Sequence, residues 1–183
     1  MCGSWVEALL VRDAKVTDLP AICDIFNQVI RDSTATFAPD PVDLADRTVW
    51  LDGRQGRGFP VLVAEADGLA GFASYGPFRS GGGYRHTVEH SVHVRSDRRG
   101  QGVGSALLAA LIARARAAGC HAMVGALDAG NVASLRLHEG FGFCHVGLMP
   151  QVGAKFGRWL DLVLVQLVLD TGPVPPETHG LHK

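Results

Sequence analysis

The sequence predicts an α+β fold: a mixed, mostly antiparallel central sheet flanked by helices on both faces. Two observations carry this. The segments run in the order β-α-α-β-β-β-α-β-α-β-β, so hairpins dominate and a single strand-helix-strand crossover interrupts them. Between VLVAEA (61–66) and LAGFASYG (69–76) stands Asp67-Gly68, a pair favoured where both turn residues need positive φ, which makes these two strands antiparallel neighbours. A doubly wound parallel sheet would need repeated β-α-β units that this order lacks.

The elements follow one by one. ALLVRD (8–13) reads as a short strand. Thr17 caps a helix whose Ile22, Ile25, Phe26, Val29 and Ile30 fall at helical spacing, ending near Asp32. STATFAPDP reads as a loop. Asp43 caps a second helix to about Arg54, with Asp46 expected to reach back as in a capping box, and Gly56 and Gly58 close it. After the hairpin comes the loop PFRSGGGYRH, then the strand TVEHSVHV (87–94), a helix over 102–118, and a buried-looking strand HAMVGAL (121–127). NVASLRLHEG (131–140) is a short helix, FCHVGLM a strand and RWLDLVLVQLVL (158–169) a long final strand. One domain is expected over 1–170. The proline-rich stretch 171–183 is expected to be an unstructured tail.

Hydrophobic residues make up 47% of the 183, enough for a proper core, and the net charge of −1 gives no overall basic field. Nucleic acid and membrane are therefore not expected partners. Cys2, Cys23, Cys120 and Cys144 form no C-x-x-C pair, and no basic leader with an apolar run opens the chain, so a cytoplasmic protein with free thiols is expected.

The chemistry concentrates where the strand 87–94 meets the helix after it. Successive backbone N–H groups opening a helix converge on one point, where the helix dipole adds positive charge. Gly100, Gly102 and Gly104 let an anion approach without a Cβ in the way, while Arg95, Arg98 and Arg99 supply charge at the rim. The turn thus reads as a phosphate site. No lysine stands near Gly104 to make a P-loop, and the spacing G-x-G-x-G is not the G-x-G-x-x-G of a dinucleotide fold.

The remaining pattern, R/Q-x-x-G-x-G/A, is met by Arg99, Gly102 and Gly104. With the preceding VHV, the downstream Asn131-x-x-Ser134 and LHEGFGF, the chain resembles the GNAT acyltransferase superfamily. SYGPFR, YRHTVEHSVHV and KFGRWLDLVLVQLVL narrow the likeness, over roughly residues 10–170, to the bacterial phosphinothricin and methionine sulfoximine N-acetyltransferases. The resemblance implies a homodimer that moves acetyl from acetyl-CoA to the α-amine of a small amino-acid analogue by direct attack, with no metal.

It also implies roles. The pantetheine arm would pair with the backbone of Val92, His93 and Val94. The pyrophosphate would rest on the turn from Arg99 through Gly100, Gln101, Gly102, Val103, Gly104 and Ser105, and Asn131 would bond the arm. Glu89 matches the family's general base. An ammonium of pKa ~8 and a carboxylate of ~4.3 differ by roughly 5 kcal/mol, so Glu89 needs burial to raise its pKa. His138 stands where the superfamily has tyrosine and takes the acid's place beside the leaving thiolate. Thr36, Phe37, Arg79, Glu89, His90 and Ser91 form the implied substrate pocket, with Arg79 suited to a carboxylate.

From pattern alone, Glu89 reads first as a structural carboxylate and His138 as a helix-surface residue, and the resemblance reverses the order for Glu89. His90 and His93 face opposite sides of one strand, and no cysteine or carboxylate completes a tetrahedral metal set with them. Acetylation of a protein N-terminus or lysine, and CoA binding without turnover, are the competing functions.

Overall fold

A computed structural model describes residues 9–170 and Gly172. The expected tail 171–183 and the start of the first strand lie outside the described residues, Gly172 apart. The sheet is built from β1 (Leu10–Asp13), β2 (Val61–Glu65), β3 (Leu69–Pro77), β4 (Thr87–Val94), β5 (Ala122–Asp128), β6 (Cys144–Lys155) and β7 (Arg158–Val168). Their spatial order is β1-β2-β3-β4-β5-β7-β6, and every pairing is antiparallel except β4 with β5. The predicted mixed, mostly antiparallel sheet is therefore what forms. Asp67 and Gly68 take φ of 51° and 84°, as the β2–β3 turn requires.

The helices are α1 (Leu19–Asp32), α2 (Leu44–Gln55), α3 (Val103–Ala117) and α4 (Val132–Gly140). Helices α1 and α2 bury Ile22, Ile25 and Leu51 against Val61, Val63 and Phe72 on one face. On the other face α3 buries Leu107, Leu108 and Leu111 against Leu62, Ala73, Val88 and Met123. Each such side chain contributes about 1.5–3 kcal/mol of burial, so the sheet holds a core on both sides.

Local details differ from the sequence reading in three places. Thr17 does not cap α1; a 3₁₀ turn over Val16–Asp18 precedes it and Asp18 occupies the cap. Asp18 spends its carboxylate on Arg12 (2.7 and 2.9 Å) and on the Lys15 N–H rather than on the helix. Asp43 does cap α2, accepting from the Asp46 N–H at 2.8 Å, but the Asp46 carboxylate pairs with Arg47 and closes no box. The strand FCHVGLM continues to Lys155, because register shifts after His145 and after Met149 absorb Val146 and Pro150 without ending the ladder to β7.

Candidate active site

β4 and β5 pair in parallel only from Thr87↔Ala122 to His90↔Gly125. Beyond that point β5 continues to Asp128 against β7, while β4 continues to Val94 against β3. The two strands part, so the β5-side edge of Ser91–Val94 faces no strand. Into this gap opens a cleft of about 510 Å³.

One wall of the cleft is β4 from His90 to Val94. The base is the turn Arg99, Gly100, Gly102, Gly104 and Ser105. The opposite wall is the end of β5 with Asn131, Ser134, Leu137 and His138 of α4, and α1 closes the rim through Val29 and Ser33. The turn is shaped for an anion. Gly100 and Gly102 take φ of 73° and 82°, the left-handed region that favours glycine, and Gly102 is the N-cap of α3. No side chain caps α3, whereas Asp43 caps α2 and Asn131 caps α4. The first helical bond runs from the Ala106 N–H, so the N–H groups of Val103, Gly104 and Ser105 are left for a ligand. Gly104 serves a second purpose: a Cβ there would lie 3.3 Å from Leu137, so its absence lets α4 close on the turn.

The turn's charge is narrower than its sequence suggests. Arg95 pairs with Asp97 and Arg98 with Asp67, which leaves Arg99 as the guanidinium of the three that lines the cleft. Gln101 folds back onto the Asp97 carbonyl and Val103 is buried in the core, so these two offer the cleft only backbone. Val92 and Val94 pack toward α3, and His93 packs between Phe26 and Phe72, where burial and Arg47 push it down to about 4. The stretch Val92–Val94 therefore presents backbone to the gap.

Glu89 lies on the opposite face from Val88 and His90 and does not line the cleft. It is half-buried opposite Gly76, and burial raises its carboxyl against the opposing pull of Arg54 and then Arg79. Arg54, which sequence reading missed, lies over Gly76 in the space a side chain would occupy; its own charge is disfavoured by burial. Glu89, Arg54 and Arg79 thus gather on the α2 side of β4, with Arg79 exposed and stacked 5.1 Å from the Phe78 ring. Ser91 is exposed and lines the cleft between the two sides.

Thr36 and Phe37 belong to a loop held from several directions. The Lys155 ammonium donates to the carbonyls of Ser33 and Thr36, both at 2.8 Å, Thr34 donates to Asp128, and the Phe37 ring occupies the place of a Cβ on Gly153. His90 is not beside them. It is buried, with its Nε2 2.9 Å from Nε2 of His138. His138 is 2% exposed, its Nδ1 2.7 Å from the Ser134 carbonyl, so both its ring nitrogens are engaged. Asn131 caps α4 through Oδ1, which leaves its amide N–H₂ for the cleft. Among the described residues no three His, Cys, Asp or Glu side chains gather as a metal site, and no helix is long and apolar enough to cross a membrane.

A parted sheet with an uncapped helix start at its mouth offers an extended ligand unpaired backbone groups on one side and an anion seat at one end. The acetyltransferase (GNAT) family model matches residues 23–143, and the chain belongs to that family. It is an N-acetyltransferase whose acetyl donor is acetyl-CoA. It is 54% identical over 162 residues to the L-methionine sulfoximine/L-methionine sulfone acetyltransferase of Pseudomonas paraeruginosa, covering 87% of this chain and 94% of that protein. The structure of Salmonella typhimurium yncA with its cofactor acetyl-CoA superposes with a TM-score of 0.91 at 43% identity, covering 94% of this chain and 100% of that one. A GNAT superfamily phosphinothricin acetyltransferase from Sinorhizobium meliloti in complex with acetyl-CoA gives 0.90 at 32% identity, covering 95% of each chain.

Proposed function

We propose that the enzyme acetylates the α-amine of a small amino-acid analogue of the methionine sulfoximine, methionine sulfone or phosphinothricin type, by direct attack in a ternary complex. The observation that carries this reading is the placement of a half-buried carboxylate, Glu89, beside two guanidinium groups on the face of β4 away from the cleft. An amino acid needs a base for its ammonium and a cation for its carboxylate, and this corner supplies both.

Acetyl-CoA supplies an acyl carbon activated as a thioester. The residues do the rest. The amides of Val103, Gly104 and Ser105, with Arg99, seat the pyrophosphate; the unpaired edge of Ser91–Val94 orients the pantetheine; Asn131 bonds it from the far wall. Glu89 takes the ammonium's proton, through a water where the distance requires one. Arg54 and Arg79 hold the substrate carboxylate, and the loop of Thr36 and Phe37 closes the pocket. His138 assists the leaving sulfur.

Incubation with acetyl-CoA and each of methionine sulfoximine, methionine sulfone and phosphinothricin is expected to release free CoA thiol. Silence with all three, or label appearing on bulk protein instead, would overturn the substrate class. Glu89→Gln is expected to lower kcat by ~10²–10⁴ while acetyl-CoA binding persists, measured by single-turnover kinetics and calorimetry.

We further propose a homodimer in the cytoplasm. Val146, Leu148, Phe156 and Trp159, each more than half exposed, run along β6, the turn after it and the start of β7. Cys23, Cys120 and Cys144 are free thiols, which suits a reducing compartment.

A further inference from the structure

The two histidines on the cleft wall pose a counting problem. The Nδ1 of His90 lies 2.8 Å from the Val124 carbonyl, and the Nδ1 of His138 lies 2.7 Å from the Ser134 carbonyl. A carbonyl only accepts, so each Nδ1 must carry a hydrogen. The two Nε2 atoms face each other at 2.9 Å. If both rings were neutral, both Nε2 atoms would be bare and their lone pairs would collide. Moving a hydrogen to either Nε2 merely exposes one Nδ1 to a carbonyl oxygen. All three contacts are satisfied only when the four nitrogens carry three hydrogens.

The site is built to hold this pairing. His90 faces Gly125 across the parallel register, where a Cβ would lie 2.9 Å from its Cε1, so only glycine admits the ring. Phe143 packs against both imidazoles, at 5.3 and 5.2 Å between centroids. Other charges stand aside. On β4 Glu89 lies on the opposite face; at the end of β5 Asp128 bonds Thr34 and the Gly130 N–H; on α4 Glu139 is exposed and turned to His145; from the turn Arg99 is exposed; and Asp161 of β7 accepts from the Gln151 N–H.

We infer that His90 and His138 hold one proton in common, placing a single buried positive charge on the cleft wall where the CoA sulfur departs. The location of the sulfur rests on the proposed acetyl transfer; the shared proton does not. Burial pushes both imidazoles below the ordinary histidine value, His90 to about 3 with the charge on His138 adding to it, so the pair takes no second proton, and the one it holds is held by the shared Nε2 contact against that burial. When the C–S bond breaks, its electron pair leaves with sulfur, and the pair's charge offsets the thiolate without a proton having to cross in that step. His90 is thus a positioning residue that keeps His138 charged, and it does not touch the amine.

Nitrogen-15 NMR of the histidine-labelled protein without ligand tests the count. Three protonated nitrogens in the pair at pH 7, lost in a single step at higher pH, are expected; two at pH 7 would overturn the proposal. Titrating the thiol of bound CoA by ultraviolet absorbance tests the charge, with no amine present. Its pKa is expected to fall by about one unit relative to free CoA, a tenfold change in ionisation. His90→Gln keeps a hydrogen-bond partner for His138 but satisfies it as a neutral ring, so the thiol shift is expected to vanish and kcat to drop about tenfold with the KM for acetyl-CoA held. An unchanged thiol pKa in His90→Gln, with the fold intact by circular dichroism, would overturn the role of the charge. Absence of turnover with every amine would instead sink the substrate reading and leave both ligand-free and CoA-bound readouts standing.

Discussion

Gly76 matters for what lies over it. The Arg54 guanidinium fills the volume of its missing side chain, opposite Glu89 across the β3–β4 ladder. Gly76→Ala would push aside only the flexible end of Arg54, so the fold is expected to lose little stability. Arg54 pulls Glu89 down against the larger effect of burial. Moving it away is expected to raise the Glu89 carboxyl further and to shift the acid limb of kcat/KM to higher pH, because the base works only when ionised; a pH-rate profile of the variant checks this. The chemistry of this corner was legible in the sequence only in part. Strand alternation separates Glu89 from His90, yet a string of residues does not say which side holds the substrate. Arg54 gave no signal at all, since it joins the site across α2 and β3, more than thirty positions away in the chain.

The elements were more legible than their ends. The start of α3 was readable because glycines and an R-x-x-G-x-G spacing are local, and α4 begins one residue after the expected position 131, with Asn131 as its cap. The start of α1 was not, because Asp18 is claimed by Arg12 from β1, a partner distant from the helix. That claim gives Asp18 a structural role. The Arg12 guanidinium holds its carboxyl below the ordinary range. Its contribution is present above the unfolded value of ~3.9 and is lost as pH falls through the lower folded one. Asp18→Asn removes one arm of a bridge that joins β1, Glu65 and the entry to α1. A loss of about 2 kcal/mol is expected in urea unfolding at neutral pH, shrinking toward zero in strong acid. The length of β6 escaped for a similar reason: Pro150 reads as a stop, and only pairing with β7 carries the strand past it.

At the scale of the whole molecule, the hairpins and the single crossover fixed the class of sheet, while the interval where β4 and β5 separate was invisible, because both segments read as good strands throughout. The exposed apolar run on β6 and β7 is where the proposed dimer would join. Trp159→Glu is expected to give a monomer by light scattering at micromolar concentration, with the unfolding midpoint of the dimer lost. The parted strands have one more consequence. The ladder along Ser91–Val94 is unfinished inside the body of the protein, and in the proposed complex the bond donors and acceptors that complete it arrive with the acetyl donor. Donor at a hundred times its Kd would add ~2.7 kcal/mol to the folded state. The protein's lifetime in a cell would then track its acetyl-CoA supply, and the amides of Ser91–Val94 would slow their hydrogen exchange as that supply rises.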